Sequence, residues 1–218
     1  MISPLSSRTT GTQNDCSSAV IKYVISLRDA GQASLAFFYF DFRDEEKKQD
    51  LRNFVTSLLC QLSAYSSSCC EKIFQIYSTH GKGTRQPTIS ALVNCLWEML
   101  SVSADHPIYI IVDALDECPD SSGMPTPREG VINLLEELLQ LNLPNLRICV
   151  TSRPEVDIQN ALGPLANISV SLHDQSGQIK DISDYVRNVA YSDKKMRNWR
   201  VDQKELVIEE LSNRADGM

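Results

Sequence analysis

Three acidic residues follow a short apolar run near the middle of the chain, and their types and spacing suit the binding of a magnesium ion. The run covers residues 108–112, and Asp113, Asp116 and Glu117 come after it. Mg²⁺ prefers oxygen ligands and keeps most of its waters, so one carboxylate at a strand end can hold it directly or through water. The pattern predicts that Asp113 contacts Mg²⁺ and that Asp116 or Glu117 polarises an attacking water. The alternative is that these acids only end a strand and cap the loop after it.

A second polar group, Thr151, Ser152 and Arg153, follows the next apolar run along the chain. An arginine at the end of a strand could reach the γ-phosphate of a nucleotide, because its guanidinium matches phosphate geometry. The alternative is a surface ion pair, for instance with Glu155. Because the group comes after an acidic strand, we favour a binding role for Arg153, with Thr151 beside it.

The elements that would position these residues alternate between strands and helices. Short runs rich in apolar, β-branched or aromatic residues predict four strands, at residues 34–42, 108–113, 146–151 and 168–172. The second is a continuous apolar run, as strands buried on both faces are, and the third is predicted to be a second buried strand. The alternation predicts an α/β fold with a parallel sheet and helices on both faces. Open sheets of this kind bind ligands at the carboxyl ends of their strands.

One-sided apolar stripes at three- and four-residue spacing predict the helices. Two of them have a recognisable start. Thr88 is a suitable N-cap, and Thr126, Pro127 and Glu129 form a capping box with proline at the first helical position. The predicted helices cover residues 16–30, 51–62, 70–77, 89–100, 127–139, 156–162 and 179–189, and a last one begins at residue 202.

The composition narrows the class of protein. A net charge of −7 and a pI of about 5.0 argue against a nucleic-acid or anionic-membrane binder. No apolar run reaches the length of a membrane span. Residues 1–15 lack the apolar core of a secretory signal and are expected to be a disordered or foreign tail. The seven cysteines are scattered and contain no C-x-x-C pair, which argues against structural zinc and predicts a cytoplasmic protein.

The sequence contains no phosphate-binding loop of the form G-x-x-x-x-G-K-[ST]. Its only Gly-Lys pair is Gly81-Lys82. Ile76 stands where the first glycine belongs, and Gly83 replaces the hydroxyl residue. Because this loop also joins two predicted helices instead of a strand and a helix, we do not expect it to bind phosphate.

Five segments, taken in order, resemble the NACHT-type nucleotide-binding domain of fungal NOD-like receptor proteins, also described as nephrocystin 3-like N-terminal domains. The resemblance runs from about residue 16 to residue 218 and rests on FFYFDFRD, QDLRNFVTSLLCQLS, IYIIVDALDECP, LPNLRICVTSRPE and LSNRADGM. It implies a P-loop NTPase of the STAND class, folded as a three-layer sandwich around a parallel sheet. It makes Asp113, Asp116 and Glu117 the Walker B acids. It also places Thr151 and Arg153 in the sensor-1 segment.

The resemblance further implies partners and a domain plan. The family binds ATP or GTP with Mg²⁺ and couples this to oligomerisation with copies of itself or contact with other protein domains, often with repeat domains downstream. In this chain the implied division is a tail at 1–15, an NTPase core at 16–175 and the start of a helical extension at 176–218.

The chain departs from the family at its N-terminal end. Gly11, Thr12 and Gln13 stand where Gly-Lys-Ser/Thr belongs. Ser6 replaces the first glycine, and no apolar strand comes before it. Either an NTPase domain has lost its phosphate loop or, as we favour, residues 1–15 are foreign sequence joined to a truncated domain.

Both explanations predict little or no nucleotide binding and no hydrolysis by this chain, so neither Mg²⁺ nor ATP or GTP is expected to be bound. The alternative function is a nucleotide-independent protein-interaction scaffold. Loss of a central first strand would also leave two exposed inner edges in the sheet, which favours aggregation.

Overall fold

The structure is a computed structural model that describes residues 13–41, 50–102, 106–120, 123–170 and 176–214. The chain divides into two compact units. The larger unit is Asn14–Asn167, and the smaller one includes Ile168–Met218. All the strands described below belong to the larger unit.

The described sheet has three parallel strands in the order β1-β2-β3, with β1 at Ser34–Tyr39, β2 at Ile108–Asp113 and β3 at Leu146–Val150. Tyr39 lies opposite Asp113, and Val112 lies opposite Val150. The central strand β2 is almost entirely buried, as its continuous apolar run predicts. All three strands end at the same edge of the sheet.

Helices of the larger unit begin where the sequence supplies caps. The carboxylate of Asp50 accepts the backbone N–H of Asn53 at 2.9 Å and starts α2. The predicted capping box of Thr126 and Glu129 is present and starts α5. The described helices of this unit are α1 Gln13–Asp29, α2 Leu51–Ser63, α3 Ser67–Thr79, α4 Ile89–Val102, α5 Pro127–Gln140 and α6 Val156–Leu162.

Helices cover both faces of the sheet. On one face, Ile21 and Val24 of α1 pack with Leu35 and Ile111. The other face carries the larger core, in which apolar side chains of α2, α4 and α5 pack with those of the strands. The α/β class, the parallel sheet and its two helical layers are therefore confirmed, as is a sandwich of the P-loop type without a first strand among the described residues.

The smaller unit contains two described helices, α7 at Ser176–Ser192 and α8 at Val201–Arg214. The two helices are joined by polar contacts. Arg187 donates to both carboxylate oxygens of Glu205, at 2.8 and 2.9 Å, and the Tyr191 hydroxyl donates to Glu205 at 2.9 Å. Both helices were predicted from their apolar stripes.

The fourth predicted strand, at residues 168–172, is wrong over the part that the structure describes. Residues 168–170 have no regular secondary structure, and Ile168 is 84% exposed. Residues 171–172 lie outside the described ranges. The alternation of apolar and polar residues gives this segment one apolar face, but a strand also needs a neighbour that satisfies its backbone N–H and C=O groups. Within the described part of the chain this segment has no such neighbour.

The prediction that β3 is buried on both faces is also wrong. Its side chains are half-buried, and that of Arg147 is exposed. The reason is position, since among the described strands only β2 pairs with β3. One side of β3 is paired with no described strand, as one of the two expected open edges would be, and the second expected edge stays a prediction.

Several predicted boundaries shift by a few residues. The first helix begins at Gln13 instead of residue 16, and α3 begins at Ser67 instead of residue 70. The strand predicted at 34–42 ends at Tyr39, while its last residue lies outside the described ranges. Most of the predicted N-terminal tail, residues 1–12, also lies outside them.

The outer edge of β1 is closed by a side chain of α2. The amide of Gln61 donates to the carbonyl of Phe37 at 2.7 Å and accepts the N–H of Phe37 at 3.0 Å. This double contact replaces the pairing that a further strand would provide. We expect Gln61→Leu to lower the free energy of unfolding by about 1–3 kcal/mol, because it leaves both backbone groups without this partner. Urea unfolding measures the change, and the same substitution at the exposed Gln75 of α3 is the control. Equal effects at the two positions would contradict the argument.

Candidate functional site

The carboxyl ends of β2 and β3 are joined by a hydroxyl group. The Thr151 hydroxyl donates to a carboxylate oxygen of Asp113 at 2.5 Å and accepts the backbone N–H of Ala114 at 3.1 Å. Asp113 is only 4% exposed, and a buried carboxylate needs such a donor because burial removes its water. Thr151 therefore fixes the position of the acid that the sequence assigned to Mg²⁺.

Backbone hydrogen bonds continue the contact beyond the ends of the two strands. The N–H of Thr151 donates to the carbonyl of Val112 at 2.9 Å, and the N–H of Leu115 donates to the carbonyl of Thr151 at 3.0 Å. The two polar groups that the sequence placed after separate strands are thus side by side. Their separation along the chain, 37 to 38 residues, gives no hint of this closeness.

A short 3-10 turn, Leu115–Glu117, presents the other two acids. Ala114 adopts the left-handed conformation, with φ of 54°, and this turns the chain sharply out of β2. Leu115 is fully buried and anchors the turn in the core. Glu117 is half-buried, and its N–H donates to the carbonyl of Ala114 at 2.9 Å. The three acids therefore lie within one strand end and the turn that follows it.

Asp116 is held by Arg153. One carboxylate oxygen of Asp116 accepts the backbone N–H of Arg153 at 3.0 Å, and the other lies 3.4 Å from its Nε. The Asp116 side chain is 8% exposed, whereas that of Arg153 is 69% exposed. The ion pair that the sequence suggested with Glu155 is formed with Asp116 instead, and most of the Arg153 side chain still faces solvent.

Arg128, in the first turn of α5, was missed as a site residue. Its Nη2 donates to the carbonyl of Asp116 at 2.6 Å, and its Nε donates to the carbonyl of Cys118 at 3.1 Å. Its Nη1 lies 3.5 Å from Asp157 and 3.8 Å from Asp120. The side chain is only 14% exposed and clamps the acidic turn to α5 and α6. In the sequence its only signal is its place between Pro127 and Glu129 in the capping-box segment.

Burial and the charge of Asp113 shape the acidity of the neighbouring groups. Burial and then Asp113 raise the pKa of the Tyr39 hydroxyl, which ends β1 opposite that acid, and they raise the pKa of Cys149 in the same way. Burial raises the pKa of Cys118 to about 12, although Arg128 acts against the shift. The thiols at this edge are therefore protonated near neutral pH, so they are poor nucleophiles.

The donor set fits one side of a Mg²⁺–nucleotide site. Asp113 supplies a hard carboxylate oxygen, and Thr151 fixes its orientation. Among the described residues, no group of three or more His, Cys, Asp and Glu is placed to hold a metal ion by itself. A single carboxylate is the usual protein contribution to Mg²⁺ when phosphates and waters supply the other ligands.

Residues 15–153 match the family described as "Nephrocystin 3, N-terminal", and this match covers more than half of the chain. The chain belongs to the nephrocystin 3 N-terminal family. No curated protein and no solved structure shows a significant match to it. The matched residues contain all three described strands, the acidic turn and the Thr151–Arg153 group, whereas α7 and α8 lie beyond the matched range.

Three backbone N–H groups of the glycine-rich loop after α3 are hydrogen-bonded within the loop or to the end of α3. The N–H of Lys82 donates to the carbonyl of Tyr77, that of Thr84 to the carbonyl of Gly81, and that of Arg85 to the carbonyl of His80. Amides that are already paired cannot line a phosphate cradle. No helix within the described ranges is both long and apolar enough to cross a membrane.

Proposed function

We propose that this nephrocystin 3 N-terminal domain is a NACHT-type nucleotide switch of which the described residues form the acidic half. One observation carries the proposal. The two polar groups meet at adjacent strand ends, where Thr151 contacts Asp113 and Arg153 contacts Asp116. In this proposal the carboxylate of Asp113 serves the metal and Arg153 serves the phosphate, and both lie at the edge where open α/β sheets bind ligands.

In this proposal each residue of the site has its own role. Asp113 holds Mg²⁺ directly or through water, and Thr151 keeps its carboxylate in place. Asp116 or Glu117 polarises the attacking water, and Arg153 contacts the γ-phosphate. When bound, Mg²⁺ neutralises negative charge on the phosphates of ATP or GTP. Because Arg153 is paired with Asp116, a phosphate that attracts its guanidinium would also release that carboxylate, and this links phosphate contact to the acidic turn.

The proposed affinity of this chain for nucleotide is low. The phosphate loop normally supplies backbone N–H groups and a lysine, and the sequence contains no loop of that pattern. The second candidate is a nucleotide-independent interaction scaffold, which this lack of a phosphate loop favours. We place either form in the cytoplasm, in contact with other protein domains or with copies of itself.

Calorimetry with Mg-ATP and Mg-GTP tests the proposal in two steps. The chain alone should show no saturable binding. A designed strand ending in G-x-x-x-x-G-K-S, fused directly before α1, should restore Mg²⁺-dependent binding, and Asp113→Asn should abolish the restored binding. The exposed Asp202 of α8 provides a control in Asp202→Asn, which should change nothing.

Two outcomes would count against the proposal. Micromolar binding by the unmodified chain that Asp113→Ala abolishes would overturn the low affinity. A fused chain that melts cooperatively but binds no nucleotide would favour the scaffold.

A further inference from the structure

A groove between α5 and α6 combines an apolar floor with an acidic rim. Its volume is about 320 Å³. Ile132 and Ala161 contribute apolar surface, and Thr126 and Asn133 contribute uncharged polar groups. The other lining residues carry carboxylates: Asp120, Glu129, Glu136 and Asp157. Arg128 contacts two of these acids, so four carboxylates face one guanidinium and the groove keeps a negative excess. An apolar pocket with such a rim suits a basic segment that carries an apolar anchor.

The smaller unit contains a segment of that kind between α7 and α8. Residues 194–200 read KKMRNWR and include four basic residues and a tryptophan. The side chains of Lys195 and Arg197 are exposed, and Trp199 is 43% exposed. Hydrogen bonds within the turn hold its shape. The carboxylate of Asp193 accepts the backbone N–H of Lys195 at 2.8 Å, and the backbone N–H of Trp199 donates to the carbonyl of Met196 at 3.1 Å. A preformed turn loses less conformational freedom on binding.

We infer that the basic turn of one copy of this chain docks into the α5–α6 groove of a second copy. Trp199 would lie on the apolar floor, and Lys195 and Arg197 would face the acidic rim near Glu136. The argument is charge complementarity between two surfaces of one polypeptide whose net charge of −7 otherwise opposes self-association. Because the two surfaces differ, the contact is head-to-tail and leads to rings or chains of copies.

Sedimentation velocity over a range of protein concentrations, in low and in high salt, tests this inference. The chain should associate in low salt and dissociate as salt screens the charges. Glu136→Lys should weaken the association by about tenfold or more, and the double change of Lys195→Glu with Arg197→Glu should do the same. The combination of all three changes should restore it, because the charges are then exchanged. Trp199→Ala should also weaken it, while Glu137→Lys, an exposed change at the next position of α5, should have little effect.

Each other outcome overturns the inference. The inference is wrong if the chain is a monomer at all concentrations or if the charge reversals leave its association unchanged. It is also wrong if the triple variant does not associate as the unchanged chain does. A salt-dependent change in tryptophan fluorescence that Trp199→Ala abolishes, without a change in the sedimenting mass, would show that the turn docks without a second copy. If Glu136→Lys unfolds the larger unit, as a melting curve would reveal, the segment variants and Trp199→Ala still decide. All measurements are made without nucleotide, so failure here is separate from failure of the proposed switch.

Discussion

Replacing Leu115 by alanine is expected to lower the free energy of unfolding by about 3 kcal/mol, within the range for large-to-small changes at fully buried sites. Leu115 is fully buried and is the only apolar side chain of the acidic turn. Its loss leaves a cavity under the two acids that follow it. Equilibrium urea unfolding measures the change. Faster amide hydrogen exchange at Asp116 and Glu117 than in β2 would show that the turn itself loosens.

The control for this prediction is Leu141→Ala at the end of α5. Leu141 has the same side chain but is exposed, so its truncation should cost under about 1 kcal/mol. If Leu115→Ala were no more destabilising than Leu141→Ala, the turn would not be anchored as described.

Arg128→Ala is expected to cost about 2–4 kcal/mol in the free energy of unfolding, because it removes two charge-assisted hydrogen bonds to backbone carbonyls in a partly buried place. The substitution also leaves Asp120 and Asp157 without their shared cation. Arg128→Lys should recover only part of the stability, since an ammonium group cannot reproduce the fork of donors that reaches Asp116 and Cys118 together. Thermal or urea unfolding should rank the unchanged protein as the most stable, Arg128→Lys next and Arg128→Ala last.

Arg147 provides the matched control. It also donates to two backbone carbonyls, those of Pro144 and Leu146, but it is exposed and its partners are local. Arg147→Ala should therefore change the free energy of unfolding by less than about 1 kcal/mol. Equal losses at Arg128 and Arg147 would mean that the clamp contributes little.

These predictions share one consequence for the site. The acids that the sequence assigns to chemistry are positioned by Leu115, Arg128 and Thr151, of which only Thr151 was predicted to belong to the site. A variant of Leu115 or Arg128 is therefore expected to disturb the proposed nucleotide site without touching the ligand.

The sequence predicted most of the local features correctly, because their causes are local. An apolar run that ends in acids forms a buried strand with carboxylates at its tip. The apolar stripe that predicted α2 and the capping box that predicted the start of α5 each depend on residues a few positions apart. In the same way, the order of strands and helices was enough to predict a parallel α/β fold.

The errors concern contacts between distant parts of the chain. The alternating segment at 168–172 carries a strand pattern but found no neighbour in its described part. β3 has the composition of a central strand and yet lies beside only one described strand, so its side chains are half-buried. How deeply a strand is buried depends on the elements beside it, and the pattern of apolar residues within the strand does not show those neighbours.

By itself, the sequence determined that a strand ends at Asp113 with Asp116 and Glu117 just after it, and that Thr151 and Arg153 follow the next strand. It also determined that no phosphate loop of the usual pattern is present. Only the tertiary structure decided how these groups meet. Parallel pairing of β2 and β3 brings Thr151 to Asp113 and Arg153 to Asp116, and packing of α5 brings Arg128 beneath the turn. Residues that are distant along the chain become hydrogen-bonding partners because parallel strands end at the same edge of the sheet. The spacing of residues along the sequence does not show which strands pair.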